Sequence, residues 1–406
     1  MYKSVAFTIC AKNYLAQALT LKESFLKYNQ NDDFFIYLSD AVDGECLAEV
    51  VVLDNTWIPD WEKMAFKYDV IEFSTSIKPF CIDHLFSKGY DKVVYLDPDI
   101  CVFNSLNVVF DALDKKSIVL TPHRCEIQDE YVGPILESVV SNVGIYNLGF
   151  VGFKNNSVGK VVVNWWKSRL RDHCYNSTEE GLFVDQKWMD FVPGFFPQDV
   201  EISQNLGLNV ALWNIQERIV VKEGENLYVK SLLDDSKKDE LLFFHFSGFN
   251  PYTPHKLDKR HDEYTTEQYP DMKDMLIHYA QSELANGYER YHAMKYSFNA
   301  FSDGTLILPL NRRMYRVNED VYSNYSNLFD VDGELYKFMK SRYLISMVRS
   351  TSIETTLSLK NKLILKKRIK AFLRIVIRII GIDRYMRLVA LCKHIGKIDN
   401  INFAID

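Results

Sequence analysis

Short apolar runs alternate with amphipathic stretches through the first half of the chain. Ser4–Cys10 (SVAFTIC) and Phe34–Leu38 (FFIYL) read as buried strands. Between them, Tyr14–Tyr28 sets Leu15, Leu19, Phe25 and Leu26 among Lys and Glu, the spacing of an amphipathic helix. Ile77–Lys88 reads as a helix ending near Gly89, and Lys92–Leu96 (KVVYL) as a strand running straight into Asp97-Pro98-Asp99. Ser117–Leu120 and Leu148–Phe153 read as further strands, and Val158–Arg171 as a helix. This alternation predicts an α/β fold with a mostly parallel central sheet. After about residue 255 the apolar strand runs stop, and His, Tyr, Glu, Lys and Met recur with helical spacing. The expected division is a domain over 1–255, a largely helical C-terminal region over 256–357, and a basic tail over 358–406.

The tail has its own pattern. Lys362, Lys366, Lys370, Arg374 and Arg378 recur every four residues. On a helix each such step drifts only about 40°, so the five cations form one stripe. Leu365, Ile369, Phe372, Leu373, Val376 and Ile380 fall on the other side. A basic amphipathic helix of this kind suits an anionic membrane surface. It equally suits a helix that packs its apolar face on the body and leaves its cations in water.

Composition narrows the classes. The chain has 406 residues, 47% hydrophobic and 25% charged, an ordinary globular profile that excludes a disordered or low-complexity protein. The net charge of -6 hides an asymmetry: residues 358–406 carry 12 Lys/Arg against 3 Asp/Glu, and the rest 36 against 51. An acidic body argues against a broad nucleic-acid surface, so no nucleic-acid partner is expected. Seven scattered cysteines without a CxxC pair read as free thiols of a reducing compartment. No apolar run reaches transmembrane length, and the N-terminus has no leader pattern, so a cytoplasmic protein is expected, peripheral on the inner membrane face if the tail docks there.

The sharpest chemical feature is the pair Asp97 and Asp99 at the end of the KVVYL strand. In open α/β sheets, ligands bind at the carboxyl ends of the strands. Two hard oxygen donors at that edge suit Mg²⁺ or Mn²⁺, with the cation bridging to a diphosphate. A strand ending in an Asp-Pro turn is the plainer reading. Far along the chain, His245 interrupts an apolar run (LLFFHFSGF) and is followed by Gly248. Imidazole is a common ligand beside carboxylates, and glycine lets backbone N–H groups approach a phosphate. A histidine satisfied within an aromatic core is the alternative. Asn147 and Gly149 stand just ahead of a predicted strand. Asp185 and Gln186 precede a helical pattern, where they could serve as caps.

Taken in this order, the four segments resemble the GT-A glycosyltransferases, closest to the family 8-like group that contains glycogenin and bacterial lipopolysaccharide galactosyltransferases. The resemblance covers roughly residues 1–255. It implies a GT-A, Rossmann-like nucleotide-sugar-binding domain. Tyr95 to Ile100 match the family's DxD strand end, and Asn147, Gly149 and Asn155 its donor-sugar segment. Asp185 and Gln186 match its DQ pair, and His245 and Gly248 the first half of its closing HxxGxxKPW motif. Pro251 stands where that motif has Lys, with Lys256 and Lys259 as substitutes. Thr8, Asn13 and Tyr14 match the nucleotide-holding segment, and Lys78 lies near a donor-contacting Arg.

The resemblance implies a hexosyltransferase that uses a UDP-sugar donor and Mn²⁺ or Mg²⁺ held by Asp97, Asp99 and His245. Asn147, Asp185 and Gln186 would face the donor sugar. It further implies a saccharide or lipid-linked saccharide acceptor, retention of configuration and a place in surface polysaccharide biosynthesis. An inverting enzyme would need a carboxylate base, for which Asp185 or Asp190 could serve. Two other classes stay open: a haloacid-dehalogenase-type phosphatase using Asp97 and Asp99, and a catalytically inactive sugar-binding protein.

Overall fold

The structure, a computed structural model, describes residues 3–42, 49–322, 324–347 and 359–395. Two compact units divide the chain. The first comprises residues 1–64 and 70–297, and the second residues 65–69 and 298–406.

The first unit is an α/β domain. β1 (Ser4–Cys10), β2 (Asp33–Leu38), β3 (Val51–Val52), β4 (Lys92–Leu96), β6 (Ile118–Pro122), β7 (Tyr146–Lys154) and β8 (Val200–Ile202) make one seven-stranded sheet, while β5 (Ile100–Val102) lies outside it. The strand order is β8-β6-β7-β4-β1-β2-β3. β1 pairs in parallel with β2 and β4, β2 with β3, and β6 with β8; β7 runs antiparallel to both its neighbours. The sheet is therefore mostly parallel, as the alternation predicted. β4 is buried along its whole length, which accounts for its unbroken apolar run. α1 (Leu15–Tyr28) lays Leu15, Ala18, Leu21 and Phe25 into the core that β1, β2 and β4 share.

This unit extends past residue 255, to Ser297. The reason is apolar packing. Leu257, Met272, Met275, Leu276 and Tyr279 join Leu206, Val210, Phe244 and Phe246 in one cluster, and Tyr288 and Tyr291 join the α1 core.

The second unit has a core of Phe66, Phe301, Ile307, Tyr315, Tyr322, Leu328, Leu335, Tyr336 and Met339. The buried Arg312 ties it together, donating to the carbonyls of Ala65, Phe66, Tyr68 and Phe298. The tail forms two helices, Leu359–Ile380 and Ile382–Ile395, broken at Gly381, whose φ of 79° is outside the helical range. Lys370, Arg374 and Arg378 are exposed, and so are Ile369, Phe372, Ile375 and Ile379. The side chains of Lys362, Leu365 and Lys366, the residues from 396 onward and Cys46 lie outside the described residues. Among the described residues, no cysteine forms a disulfide. Among the described residues, no helix is long and apolar enough to cross a membrane.

Candidate active site

β4 delivers Asp97 to the carboxyl edge of the sheet, where its N–H donates to Gly149 O at 2.7 Å on the neighbouring β7. The chain then turns through Pro98, with Ile100 N–H returning to Asp97 O at 3.1 Å. It continues as β5, which pairs antiparallel with β9 (Phe243–His245). That register sets His245 opposite Ile100, and Phe246 N–H donates to Asp99 O at 2.8 Å. Two segments distant in sequence thus converge on one point.

There, His245 Nε2 lies 3.1 Å from Asp99 Oδ1 and 3.7 Å from Asp97 Oδ2. One donor atom from each of the three residues falls within 4.8 Å of the others. Two carboxylates and an imidazole at this spacing fit a hard divalent cation such as Mn²⁺ or Mg²⁺. The acids keep 28% and 21% of their side-chain surface exposed, so a cation has access, while the histidine is buried. Burial raises the Asp99 carboxyl, but the charge of His245 outweighs it and holds Asp99 below the usual range. Burial lowers the His245 imidazole, and Asp99 and Asp97 outweigh that and hold it above its usual range.

A second pair lies beside the first. Lys78, 1% exposed, places Nζ 2.8 Å from Asp185 Oδ2, 2.8 Å from Leu148 O and 3.7 Å from Asp97 Oδ1. It also sits 4.1 Å from the centre of the Tyr95 ring, whose hydroxyl donates to Asp97 Oδ1 at 2.5 Å. Burial lowers the Lys78 ammonium, and Asp185 and Asp97 outweigh it, so it stays cationic. Asp185 occupies the N-cap position of the short helix Gln186–Met189 but makes no capping hydrogen bond. Its carboxylate turns to Lys78 instead, which corrects the cap reading. Gln186 has both ends of its amide engaged: Leu148 N–H donates to Oε1, and Nε2 donates to Val143 O. Asp190 likewise accepts from Ile145 N–H and pairs with Lys187.

Asn147 and Gly149 lie within β7, not ahead of it. Asn147 Oδ1 accepts from Gly149 N–H, and Nδ2 faces His123 Nε2 at 3.3 Å. Burial pushes the His123 imidazole down to about 4, so it is neutral. Asn155 is at the other end of the site's strand. β7 runs antiparallel to β4, with Lys154 opposite Lys92 and Phe150 opposite Leu96. Asn155 therefore lies at the far edge from Asp97, donating to Phe86 O and Tyr90 O, away from the Asp97, Asp99 and His245 cluster.

Of the nucleotide-segment residues, Tyr14 is 40% exposed. Burial and the nearby Asp99 push its phenol up to about 12, while Arg260 pulls the other way. Asn13 Oδ1 is buried with no hydrogen-bond partner among the described residues. Thr8 lies within β1 at 0% exposure, and its Oγ1 is buried with no hydrogen-bond partner among the described residues.

Of the two lysines considered for the closing motif, Lys259 donates its N–H to Gly248 O. Lys256 is paired with Asp262 at 2.7 Å. Arg260 instead turns toward the site. Its Nε donates to both oxygens of the fully buried Asp258, and its Nη2 to Ser247 O. Its charge is felt at Asp99 and at Tyr14. Gly248, at φ 78°, passes so close that a Cβ there would lie 2.7 Å from Arg260 Nη2. A hairpin between Lys256–Asp258 and His261–Thr265 carries Arg260 back, and no local sequence signal marks it.

No protein-family model matches the chain. An uncharacterized protein YfnF of Bacillus subtilis (strain 168) is 24% identical over 270 residues, 64% of this chain and 86% of the relative. Among solved structures, the galactosyltransferase LgtC in complex with donor and acceptor sugar analogs is similar over 69% of this chain and 95% of its own, at 16% identity and TM-score 0.40. The bifunctional glycosyltransferase WbbM is similar over 72% of this chain and 52% of its own, at 17% identity and TM-score 0.42.

Proposed function

We propose that the chain is a metal-dependent glycosyltransferase of the GT-A type that uses a nucleotide-sugar donor. The observation that carries this reading is the convergence of Asp97, Asp99 and His245 at the carboxyl edge of a mostly parallel sheet. An imidazole against the two carboxylates favours a metal site over a phosphatase nucleophile, which would need an aspartate oxygen free for attack. Intact donors at all three positions equally disfavour an inactive sugar-binding protein.

On this reading, Asp97, Asp99 and His245 hold Mn²⁺ or Mg²⁺, which when bound supplies positive charge against the leaving diphosphate. Tyr14 and Asn13 border the nucleotide, Asn13 through its unpartnered Oδ1. Arg260, held by Asp258 and oriented past Gly248, offers a second positive charge to a diphosphate. Asn147 and Asp185 bound the side of the site where the sugar would lie. Asp185 is kept in place by Lys78, which also holds the Leu148 carbonyl. Gln186 acts by fixing the Leu148 amide rather than by reaching outward.

The finer statements extend this reading: UDP as the nucleotide, a hexose as the sugar, retention of configuration, and a saccharide or lipid-linked saccharide acceptor in surface polysaccharide biosynthesis. The tail over 358–394 would place the enzyme on an anionic membrane surface at the cytoplasmic face. Exposed Lys370, Arg374 and Arg378 beside exposed Ile369, Phe372 and Ile375 support that placement. The test is a donor screen. Incubation with a panel of UDP-sugars and Mn²⁺ should release UDP, and EDTA should stop it. Release of inorganic phosphate alone, or no release from any donor, would overturn the proposal.

A further inference from the structure

His245 has two ring nitrogens, and only one faces the acids. The other, Nδ1, lies 3.3 Å from Asn209 Oδ1. Asn209 is 2% exposed and sits at φ 54°, a left-handed conformation that asparagine tolerates better than most residues. The next residue, Val210, is anchored to the histidine's strand: Val210 N–H donates to Phe243 O, and His245 N–H to Val210 O.

The amide orientations follow from one fixed donor. Gly149 N–H can only donate, so the Asn147 atom it meets at 3.0 Å is Oδ1. That oxygen also receives Asn209 Nδ2 at 3.0 Å, and the same Nδ2 meets Thr121 Oγ1 at 3.0 Å. Asn209 Oδ1 is therefore the atom turned to His245, and an amide oxygen there accepts only N–H. Nδ1 therefore carries a proton, and Nε2 is the nitrogen turned to Asp97 and Asp99, where a bound cation would take the place of its proton. At the other end the chain closes consistently. Asn147 Nδ2 donates to His123 Nε2, and His123 Nδ1 donates to Ile145 O at 3.1 Å.

We propose that Asn209 is a positioning residue of the metal centre, fixing the ring orientation and tautomer of His245 so that Nε2 is the ligand atom. This inference rests on the metal reading proposed above. Partners behind a ligating histidine typically change metal affinity by about 10–100-fold when removed.

The test is calorimetric titration of the full chain with Mn²⁺ in the presence of UDP, with thermal melts alongside. Asn209→Gly keeps the left-handed backbone free of strain and removes the acceptor. It should lower Mn²⁺ affinity by about 10–100-fold. Asn209→Asp keeps an oxygen opposite Nδ1 but loses the donor to Asn147 Oδ1, so it should bind Mn²⁺ more tightly than the Gly variant and less tightly than the parent. Parent-like affinity in folded Asn209→Gly, or equal loss in the Gly and Asp variants, would overturn the proposal. Absence of Mn²⁺ binding by the parent would instead defeat the underlying metal reading, and this inference with it.

Discussion

The ring of His245 occupies the space that a side chain at Gly149 would take. A Cβ on residue 149 would lie 2.7 Å from His245 Nδ1, with Cε1 nearer still. Gly149 is thus what lets β7 pass close enough to β9 for the imidazole to reach Asp99. This glycine matters for what it leaves open, since its φ is not among the positive ones.

Gly149→Ala should therefore displace the imidazole and weaken Mn²⁺ binding by about tenfold or more. The accompanying loss of stability should stay in the range of overpacking, about 1–3 kcal/mol. Calorimetry with Mn²⁺ and UDP, beside a denaturant melt, checks both. Unchanged Mn²⁺ affinity would mean that the ring is placed by something other than this contact.

On the proposed function, the charge of Arg260 would act on a diphosphate and not on a nucleoside. Arg260→Gln should lower UDP affinity by about tenfold or more, the worth of a charged hydrogen bond, while uridine binding stays the same. Because Asp258 is fully buried, the variant's melting temperature is measured too. An equal loss for uridine and UDP would remove Arg260 from the diphosphate site.

Glu283 gives a pH signature. It is 3% exposed, and burial pushes its carboxyl up to about 8; Tyr279 pulls it down and Asp99 adds to the rise. An unfolded glutamate ionises near 4.5. The folded state therefore binds the proton more tightly, so this contribution to stability is full below about 4.5 and is lost as pH rises through about 8. Glu283→Gln, which mimics the protonated form, should match the parent at low pH and exceed it above pH 8. Denaturant melts in EDTA across that window check the sign, and parallel curves would contradict it.

Much of this site was legible in the sequence because its key signal is local. Asp97 and Asp99 follow an apolar run that had to be a buried strand, so their place at a sheet edge followed directly. His245 was visible as a lone imidazole in an apolar run, but its pairing with the acids depends on β5 and β9, distant in sequence. The direction of β7 was not readable either, since a buried strand has the same composition in both orientations. That reversal is what removes Asn155 from the site. The local alternative for Asp185, a helix cap, stayed open in the sequence because its partner, Lys78, lies far back in the chain. Arg260 and Asn209 carry no motif at all; only the hairpin and the loop that bring them back give them meaning. The tail was plain from its four-residue spacing, though not its break at Gly381.

For the tail, the expectation concerns lipid. Changing Lys370, Arg374 and Arg378 to Gln should release the protein from anionic vesicles, since each cation near such a surface contributes about 1 kcal/mol. High salt should do the same to the parent, and donor hydrolysis should be unaffected. Co-sedimentation at low and high salt reads this out; salt-insensitive or absent sedimentation of the parent would contradict a membrane role.

On the proposed function, Asp97, Asp99 and His245 form one metal site that serves a nucleotide. Calorimetric titration of UDP into the parent and into Asp99→Asn, each with and without Mn²⁺, tests it most directly. Tight, Mn²⁺-dependent UDP binding is expected in the parent, with loss of that dependence in a folded Asp99→Asn variant. Mn²⁺-dependent UDP binding that persists in the folded variant would contradict it.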